Sequence, residues 1–522
     1  MRASVSSSLF ARYYAHPAIV LGSLALLIVL IRLPFNLNTG ADEAFYLIAG
    51  RQWLHGMPPY AGAFDVKPPL LFLLMAGAEA LFGPSLLAAK ALANIAAVLT
   101  GWALYLFGLR YLGSLAGVLA AIFYTFSALS LGGTFSAAEG FMAPFTAFAM
   151  LAGFAAFPAS RPLPIAGLLL AGLLSGAAAC VKQTAVFSAI PLFLGLVLTR
   201  PGTARIKAAA AFGAGFCVVP AGFALYFLAI GHLGDFIFDT AVMAIRRAGT
   251  AYVSWTGAFG MLMAGFLTVL PVLVLAGLLW VQRRPLRQQP VYPSVQFLAA
   301  WAAGAAAGIF LTRDLSIIYA LPLMPPLCLL AGGFVQHVLG RIQCQRRRLY
   351  WRTGTVAAAL LYSCYIVTPI YLAGGGEVGA AEAAAALIEH EGLRPDDRIF
   401  VVDRDLLVYI TSGAEPPLPI FHPLQLLCPF PLQGAASAWA DSMKTKPAFV
   451  VLADPPVALR CEEPSRREAI QAQLAQDYCE LGRFDSSATA WPGSFTVYGL
   501  KERRAPGVCP ERYSLKKPRT AE

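Results

Sequence analysis

The sequence predicts a polytopic α-helical membrane protein carrying a soluble C-terminal α/β domain. Three observations predict it. The 522 residues are 58% hydrophobic, with a mean hydropathy of +0.65 and only 13% charged residues, where a soluble protein carries about a quarter. Apolar runs of about 20 residues recur before residue 372, each long enough to cross about 30 Å of hydrocarbon. After Leu372 hydropathy falls and the charge balance reverses, from a net +15 over residues 1–372 to −4 over 373–522. The chain therefore divides into a membrane domain, 1–372, and an extramembrane domain, 373–522.

The membrane domain is read in order as spans near 18–35, 87–108, 113–131, 141–157, 163–181, 185–199, 208–230, 257–281, 294–311, 316–338 and 353–372. Residues 1–17 are polar and basic, and no small-residue cleavage site follows the first apolar run. A retained first helix is expected rather than a cleaved signal. Arg2, Arg12, Arg110, Arg161, Arg200, Arg205, Lys207, Arg283, Arg284, Arg287, Arg341, Arg346, Arg347, Arg348 and Arg352 fall between alternate runs. Cytoplasmic loops are enriched in Lys and Arg, so these sites are assigned to the cytoplasm. The run at 68–83 must then not span. It opens with two prolines, contains Glu79 and is read as a helix lying along the outer interface. About eleven spans result, with the N-terminus inside and the tail outside. All eight acids before residue 372 then fall on the external side: Asp42, Glu43, Asp65, Glu79, Glu139, Asp235, Asp239 and Asp314. The basic excess is thus a topology signal, and no nucleic-acid partner is implied.

In the tail, Gly374-Gly375-Gly376 marks a hinge. A helix-like EVGAAEAAAALIEHEGL follows and stops at Gly392. RIFVVD (398–403), AFVVLAD (448–454) and FTVYGL (495–500) read as strands, with helical segments between them. No glycine-rich phosphate loop is present. The domain is read as a lid or acceptor platform, against the alternative of an inert appendage. The last 15 residues are basic, polar and expected to fray. Cys428, Cys461, Cys479 and Cys509 lie in this domain, where an oxidising compartment permits one or two disulfides. No CxxC or His/Cys cluster suggests zinc.

Chemistry concentrates in the first external loop, 36–86. There DEAFYLIAGRQWLHGMPPYAGAFDVKPPLLF joins Asp42-Glu43 to Tyr46, Tyr60, Asp65 and Lys67-Pro68-Pro69. A carboxylate at the membrane surface can take the proton of an attacking hydroxyl. A neighbouring Lys can bind phosphate and offset charge on a leaving group. The plain alternative is that the two acids mark a helix end at the water boundary.

This loop resembles that of the GT-C superfamily of polyprenyl-phosphate-dependent glycosyltransferases, in particular the protein O-mannosyltransferases, the lipid A aminoarabinose transferases and their bacterial relatives. Those families open with a transmembrane helix, an external Asp-Glu…Tyr and a Lys-Pro-Pro segment, here Asp42, Glu43, Tyr46 and Lys67-Pro68-Pro69. SAAEGF, with Glu139, resembles their second external turn. AACVKQTAVF, with Lys182, resembles a Lys-bearing family segment, and IIYALPLMPPLCLLAGG, with Tyr319, a later helix. DRIFVVDRDLLVYITSG resembles the tail of the bacterial members. This chain has Phe45 where some relatives carry Arg, Ile318 where many carry His, and Lys90 where Arg is frequent, so the resemblance names no sugar and no acceptor.

The resemblance implies inverting transfer of a sugar from a polyprenyl-phosphate donor to a hydroxyl on an envelope lipid, glycan or protein, at the periplasmic face of the inner membrane. Asp42 is implied as the base, Glu43 as the group orienting acceptor or loop, and Lys67 as the phosphate ligand. Further candidates for the phosphate are Lys182, Arg246, Arg247 and Tyr319. Tyr46, Tyr60, Asp65 and Glu139 are candidates for the substrates. Five of them have a plainer alternative: Lys182 snorkelling to the interface, Arg246 and Arg247 as a solvated pair, Tyr319 and Tyr60 as interfacial tyrosines. Arg313 with Asp314 reads as a loop ion pair, Trp53 as a headgroup anchor and His55 as a loop residue in preference to a second base. No cofactor is read from the sequence, and a divalent metal is left open. The rivals are a lipid-linked glycan ligase or polymerase, and a lipid or polysaccharide transporter. Transporters set charges near the midplane and show repeats; here the charges gather at one edge.

Overall fold

A computed structural model describes residues 17–36, 41–134, 136–157, 163–248, 255–311, 316–373, 377–402, 406–422, 425–426, 437–454, 464–486, 493–503 and 509. Helices stand where ten of the expected spans were read: Pro17–Arg32, Leu86–Tyr111, Ser114–Ser130, Ala138–Phe154, Ile165–Val181, Ala185–Thr199, Gly202–Ala229, Tyr292–Leu311, Met324–Gly340 and Gln345–Ala373. Among the described residues five helices are long and apolar enough to cross a membrane, or six if one bent pair counts as a single span. The protein is a multi-pass membrane protein. Four further apolar helices have only 15 to 17 residues, about 23–26 Å at 1.5 Å per residue.

The run at 257–281 differs from expectation. It breaks at Val269, where Trp255–Thr268 gives way to Leu270–Val281 at a bend of 80°. Pro271 lies in the first turn of the second helix. It has no N–H for the preceding turn, and its ring crowds the carbonyl four residues back.

The chain folds as two compact units. The first comprises residues 1–34, 93–226 and 255–371. Its helices approach closely through glycine. A Cβ on Gly172 or Gly176 would fall 2.1 or 2.2 Å from the carbonyl oxygens of Phe212 and Phe216, and one on Gly332 2.4 Å from that of Ala116. Small residues at such crossings let backbones meet where no hydrophobic drive between helices exists. Arg32, at the end of the first helix, is buried here. Its Nε donates to Asn94 Oδ1 at 2.8 Å and its Nη2 to the Gly133 carbonyl at 3.0 Å.

The second unit comprises residues 35–92, 227–254 and 372–522. It contains a four-stranded sheet of β1 (Ile399–Val401), β2 (Phe449–Asp454), β3 (Tyr478–Ser486) and β4 (Gly493–Leu500), in the order β1-β2-β4-β3. β1 runs parallel to β2, while β4 is antiparallel to both β2 and β3. Phe400, Val450, Leu452, Ile470, Leu474 and Leu500 pack into one buried cluster. The three expected strands are present; β3 was not expected. The helix Glu377–His390 stands where it was read, and Gly392 follows at φ +87°. Cys479 and Cys509 form a disulfide. Cys428, Cys461, the glycines at 374–376, the Arg313–Asp314 pair, residues 1–16 and, save Cys509, the basic last 15 residues lie outside the described residues.

Candidate active site

The first acids open the helix Ala41–Leu54. This helix packs on Pro69–Phe82, which starts at the proline pair and ends at Gly83, φ +85°. The two meet tightly: a Cβ on Gly50 would lie 2.7 Å from the Ala76 nitrogen. Arg51 and Glu79 form a buried ion pair at 2.7 Å across the same contact. Hence Glu79, an acid in an apolar run, is neutralised by the helix that bears the site.

Adjacent helical residues point about 100° apart, and this separates the two acids. Glu43 is buried and pairs with Lys90 at 2.8 Å, their side chains 0% and 3% exposed. Asp42 keeps 53% of its side-chain surface accessible. One turn on, Tyr46 donates its hydroxyl to Asp42 Oδ2 at 3.1 Å, and His422 Nε2 lies 3.1 Å from Oδ1. Burial acts to raise the pKa of Asp42. Lys67, the His422 hydrogen bond and charge, and Arg247 outweigh it and hold the carboxyl well below the usual carboxylate range. Asp42 is therefore an ionised acceptor with solvent access.

Lys67 stands over the Tyr46 ring, its Nζ 4.9 Å from the centroid, and 3.3 Å from Asp65 Oδ2. Asp65 is buried, and its Oδ1 accepts the Val66 N–H at 2.7 Å. Tyr60 is buried at φ +73°, a conformation that costs a β-carbon-bearing residue on the order of 1 kcal/mol. Its hydroxyl donates to the Lys67 carbonyl at 2.9 Å, and its N–H to Ala63 O at 2.9 Å. Tyr60 thus shapes the turn that presents Lys67. Trp53 rests 6.3 Å from the Phe227 ring, and His55 is exposed in the loop.

The segment after the long helix Gly202–Ala229 adds Arg246, exposed and 5.5 Å from the Phe238 ring centroid, and Arg247, whose charge acts on Asp42. It also adds Asp239, which is 4% exposed. Burial first, then the charges of Asp235 and Asp65, push Asp239 up to about 7.

Three other candidates meet inside the first unit. Lys182 ends the helix Ile165–Val181 as its cap residue, and Glu139 lies in the first turn of Ala138–Phe154. The two form a buried ion pair, and the Lys182 ammonium sits 3.8 Å from the centroid of the Tyr319 ring. Thr184, Ser188, Gly308 and Pro322 close round them. The space between them, about 10 Å³, has room for about one water. Among the described residues no group of three or more His, Cys, Asp or Glu side chains converges as a metal cage.

Residues 66–227 match the family model of dolichyl-phosphate-mannose-protein mannosyltransferases. No curated protein matches the chain. Among solved structures, ArnT from Cupriavidus metallidurans bound to undecaprenyl phosphate superposes with a TM-score of 0.62 at 14% identity, over 92% of this chain and 97% of that one. The chain shares the fold of ArnT. Two other solved structures share it. The oligosaccharyltransferase AglB from Archaeoglobus fulgidus, in complex with an inhibitory peptide and a dolichol-phosphate, gives 0.53 at 14% identity over 85% of this chain and 69% of that one. The arabinofuranosyltransferase AftD from Mycobacteria gives 0.52 at 15% identity, over 92% and 40%. The matched segment contains Lys67, Glu139 and Lys182 and begins after Asp42 and Glu43.

Sequence reasoning missed two partners at this site. Lys90 was noted only as a departure from Arg, yet it neutralises Glu43. His422 carried no signal at all, lying 380 residues from Asp42 in a Phe-His-Pro stretch. No spacing rule links residues so far apart; only folding of the tail segment against the loop brings them together.

Proposed function

We propose that the protein transfers a sugar from a polyprenyl-phosphate donor to an acceptor hydroxyl, with inversion, at the periplasmic face of the inner membrane. The observation that carries the reading is Asp42: ionised, half-exposed, gripped by Tyr46 and within the field of Lys67. The acceptor oxygen bonds to the anomeric carbon, its proton passes to Asp42, and the bond to phosphate breaks with its electron pair leaving on polyprenyl phosphate. A base must lie within hydrogen-bond reach of the proton it takes, and an accessible carboxylate oxygen meets that need.

Lys67 and Arg247 are the proposed phosphate ligands beside this base, with Arg246 further out. Lys182 with Tyr319 forms a separate proposed phosphate contact within the first unit, its charge balanced by Glu139. Tyr46, Tyr60 and Asp65 shape the substrate side of the loop. Glu43 holds the helix through Lys90. A carboxylate far below neutrality is a weak base. An anionic phosphate engaging Lys67 and Arg247 compensates those cations and restores basicity to Asp42. Donor binding therefore precedes deprotonation of the acceptor. The acceptor class is an envelope lipid, glycan or protein.

The test is mass spectrometry of envelope lipids and glycans from a deletion strain. Accumulated polyprenyl-phosphate sugar that disappears on complementation with the wild type, but not with Asp42→Asn, is the expected result. Unchanged polyprenyl-phosphate sugar in the deletion strain rejects the reading.

A further inference from the structure

We propose that His422, carried on the C-terminal segment, is a positioning residue for the transfer reaction, fixing the carboxylate of Asp42 for proton abstraction. The inference rests on the reading of Asp42 as the base. Tyr46 holds Oδ2 and His422 holds Oδ1, each at 3.1 Å. With one partner on each oxygen the carboxylate plane is fixed, and a lone pair on each oxygen remains for the acceptor hydroxyl. An ionised Asp accepts only, so the Nε2 of His422 carries the proton in this contact.

His422 is itself held on every side. Its ring meets the Phe45 ring edge-to-face, centroids 5.3 Å apart at 80°, and Phe421 lies 4.8 Å from Phe45. The His422 carbonyl accepts the N–H groups of Gln425 and Leu426. Gln425 Nε2 then donates to the Phe64 carbonyl at 3.0 Å, and the Phe64 N–H donates to the Pro419 carbonyl at 3.1 Å. Two neighbouring contacts extend the clamp: Gln52 Nε2 to Glu415 at 2.9 Å and Arg51 to the Tyr409 carbonyl at 3.5 Å. Tyr409, Glu415, Pro419, His422 and Gln425 therefore grip the loop 42–67 at several points, and among the described residues of this stretch the His422 imidazole ends on the candidate base. The tail segment is a working part of the site, neither an appendage nor only a lid.

Charged and titratable groups facing Asp42 are His422, Lys67 and Arg247, with Tyr46 on its own helix. Removing His422 leaves Lys67 and Arg247 in place, so Asp42 stays ionised at neutral pH but titrates at higher pH than before.

The test uses the full-length protein in nanodiscs. It is supplied with lipid extract from the deletion strain as the source of donor and acceptor, and release of undecaprenyl phosphate is followed. His422→Ala lowers turnover about 10- to 100-fold, the scale of a misplaced reacting group, with the half-saturating extract concentration little changed. The acid limb of its pH profile moves to higher pH. His422→Gln, whose amide still donates, recovers most of the turnover. Binding of undecaprenyl phosphate and a monodisperse elution profile report that each variant is folded; if the alanine variant is not, the glutamine variant alone decides, through kept or lost turnover. Wild-type turnover in His422→Ala overturns the proposal. So does a folded His422→Gln as slow as the alanine variant with an unmoved acid limb. Asp42→Asn is measured beside them: undiminished turnover there sinks the base reading itself, whereas loss there without loss in His422→Ala sinks only the role of His422.

Discussion

Two carboxylates adjacent in sequence have opposite surroundings. Asp42 faces outward to two hydrogen-bond donors and two cations, whereas Glu43 faces inward to Lys90. Asp42→Asn keeps the shape and loses the proposed proton acceptor, so turnover should fall about 10²- to 10⁴-fold with the fold intact. Glu43→Gln acts elsewhere. It leaves the Lys90 charge buried without its carboxylate, a change worth about 3–5 kcal/mol of stability. Thermal unfolding of purified variants separates the two: a lowered midpoint is expected for Glu43→Gln and an unchanged one for Asp42→Asn, and the reverse pattern would exchange their assignments. Lys67→Ala should weaken donor-dependent turnover by about 10- to 150-fold, the equivalent of one charge-assisted contact of roughly 1.5–3 kcal/mol. That an acid here stands with Tyr46 and Lys67 was legible from the sequence. Which acid faces outward and which is buried was not, because that depends on a 100° step about a helix whose buried face was unknown.

At the scale of elements, apolar runs announced themselves and subtler features did not. β3 reads Tyr-Cys-Glu-Leu-Gly-Arg-Phe-Asp-Ser. Its alternation of apolar and polar residues is that of an edge strand, but it lacks the continuous run that marked β1 and β2, and a register shift between Glu480 and Gly482 interrupts it. The break at Val269 was equally hidden, since Pro271 within an apolar run permits either a kink or a break. The segment Leu233–Ala248 offers a test of its own. Asp239 is pushed up to about 7 from 3.8, so the native state holds a proton that the unfolded state has released. Stability contributed by this group is therefore present below about pH 4, declines as pH rises, and has turned into a penalty on the order of a few kcal/mol above pH 7. Asp239→Asn should raise the unfolding midpoint at pH 8 and leave it near that of the wild type at pH 4. An equal difference at both pH values would reject burial of a protonated acid as the cause.

At the scale of the whole molecule the open matter is sidedness. Eleven spans with the Arg-rich loops inside and every acid before residue 372 outside make one consistent scheme, and the scheme stands or falls together. Treating the helix Pro69–Phe82 as a span would move every later loop to the opposite side. Its 14 residues reach only about 21 Å at 1.5 Å per residue, which favours leaving it out. The chain carries its own probe. Cys344 lies among the basic residues 341–352, is exposed, and has a pKa lowered by a backbone hydrogen bond at Arg347 and by the charges of Arg347 and Arg346. It is thus more thiolate than an ordinary cysteine and reacts readily with maleimide. A variant keeping Cys344 and the Cys479–Cys509 disulfide, with Cys180, Cys217, Cys328, Cys364, Cys428 and Cys461 replaced, should resist a membrane-impermeant maleimide in intact spheroplasts and label in inverted vesicles. Single cysteines placed near 42, 139 and 240 in a Cys344-free background should show the reverse. Labelling of Cys344 in intact spheroplasts would put the basic loop outside, return Pro69–Phe82 to the membrane as a span, and leave Asp42 outside while Glu139 and Asp239 move to the opposite face.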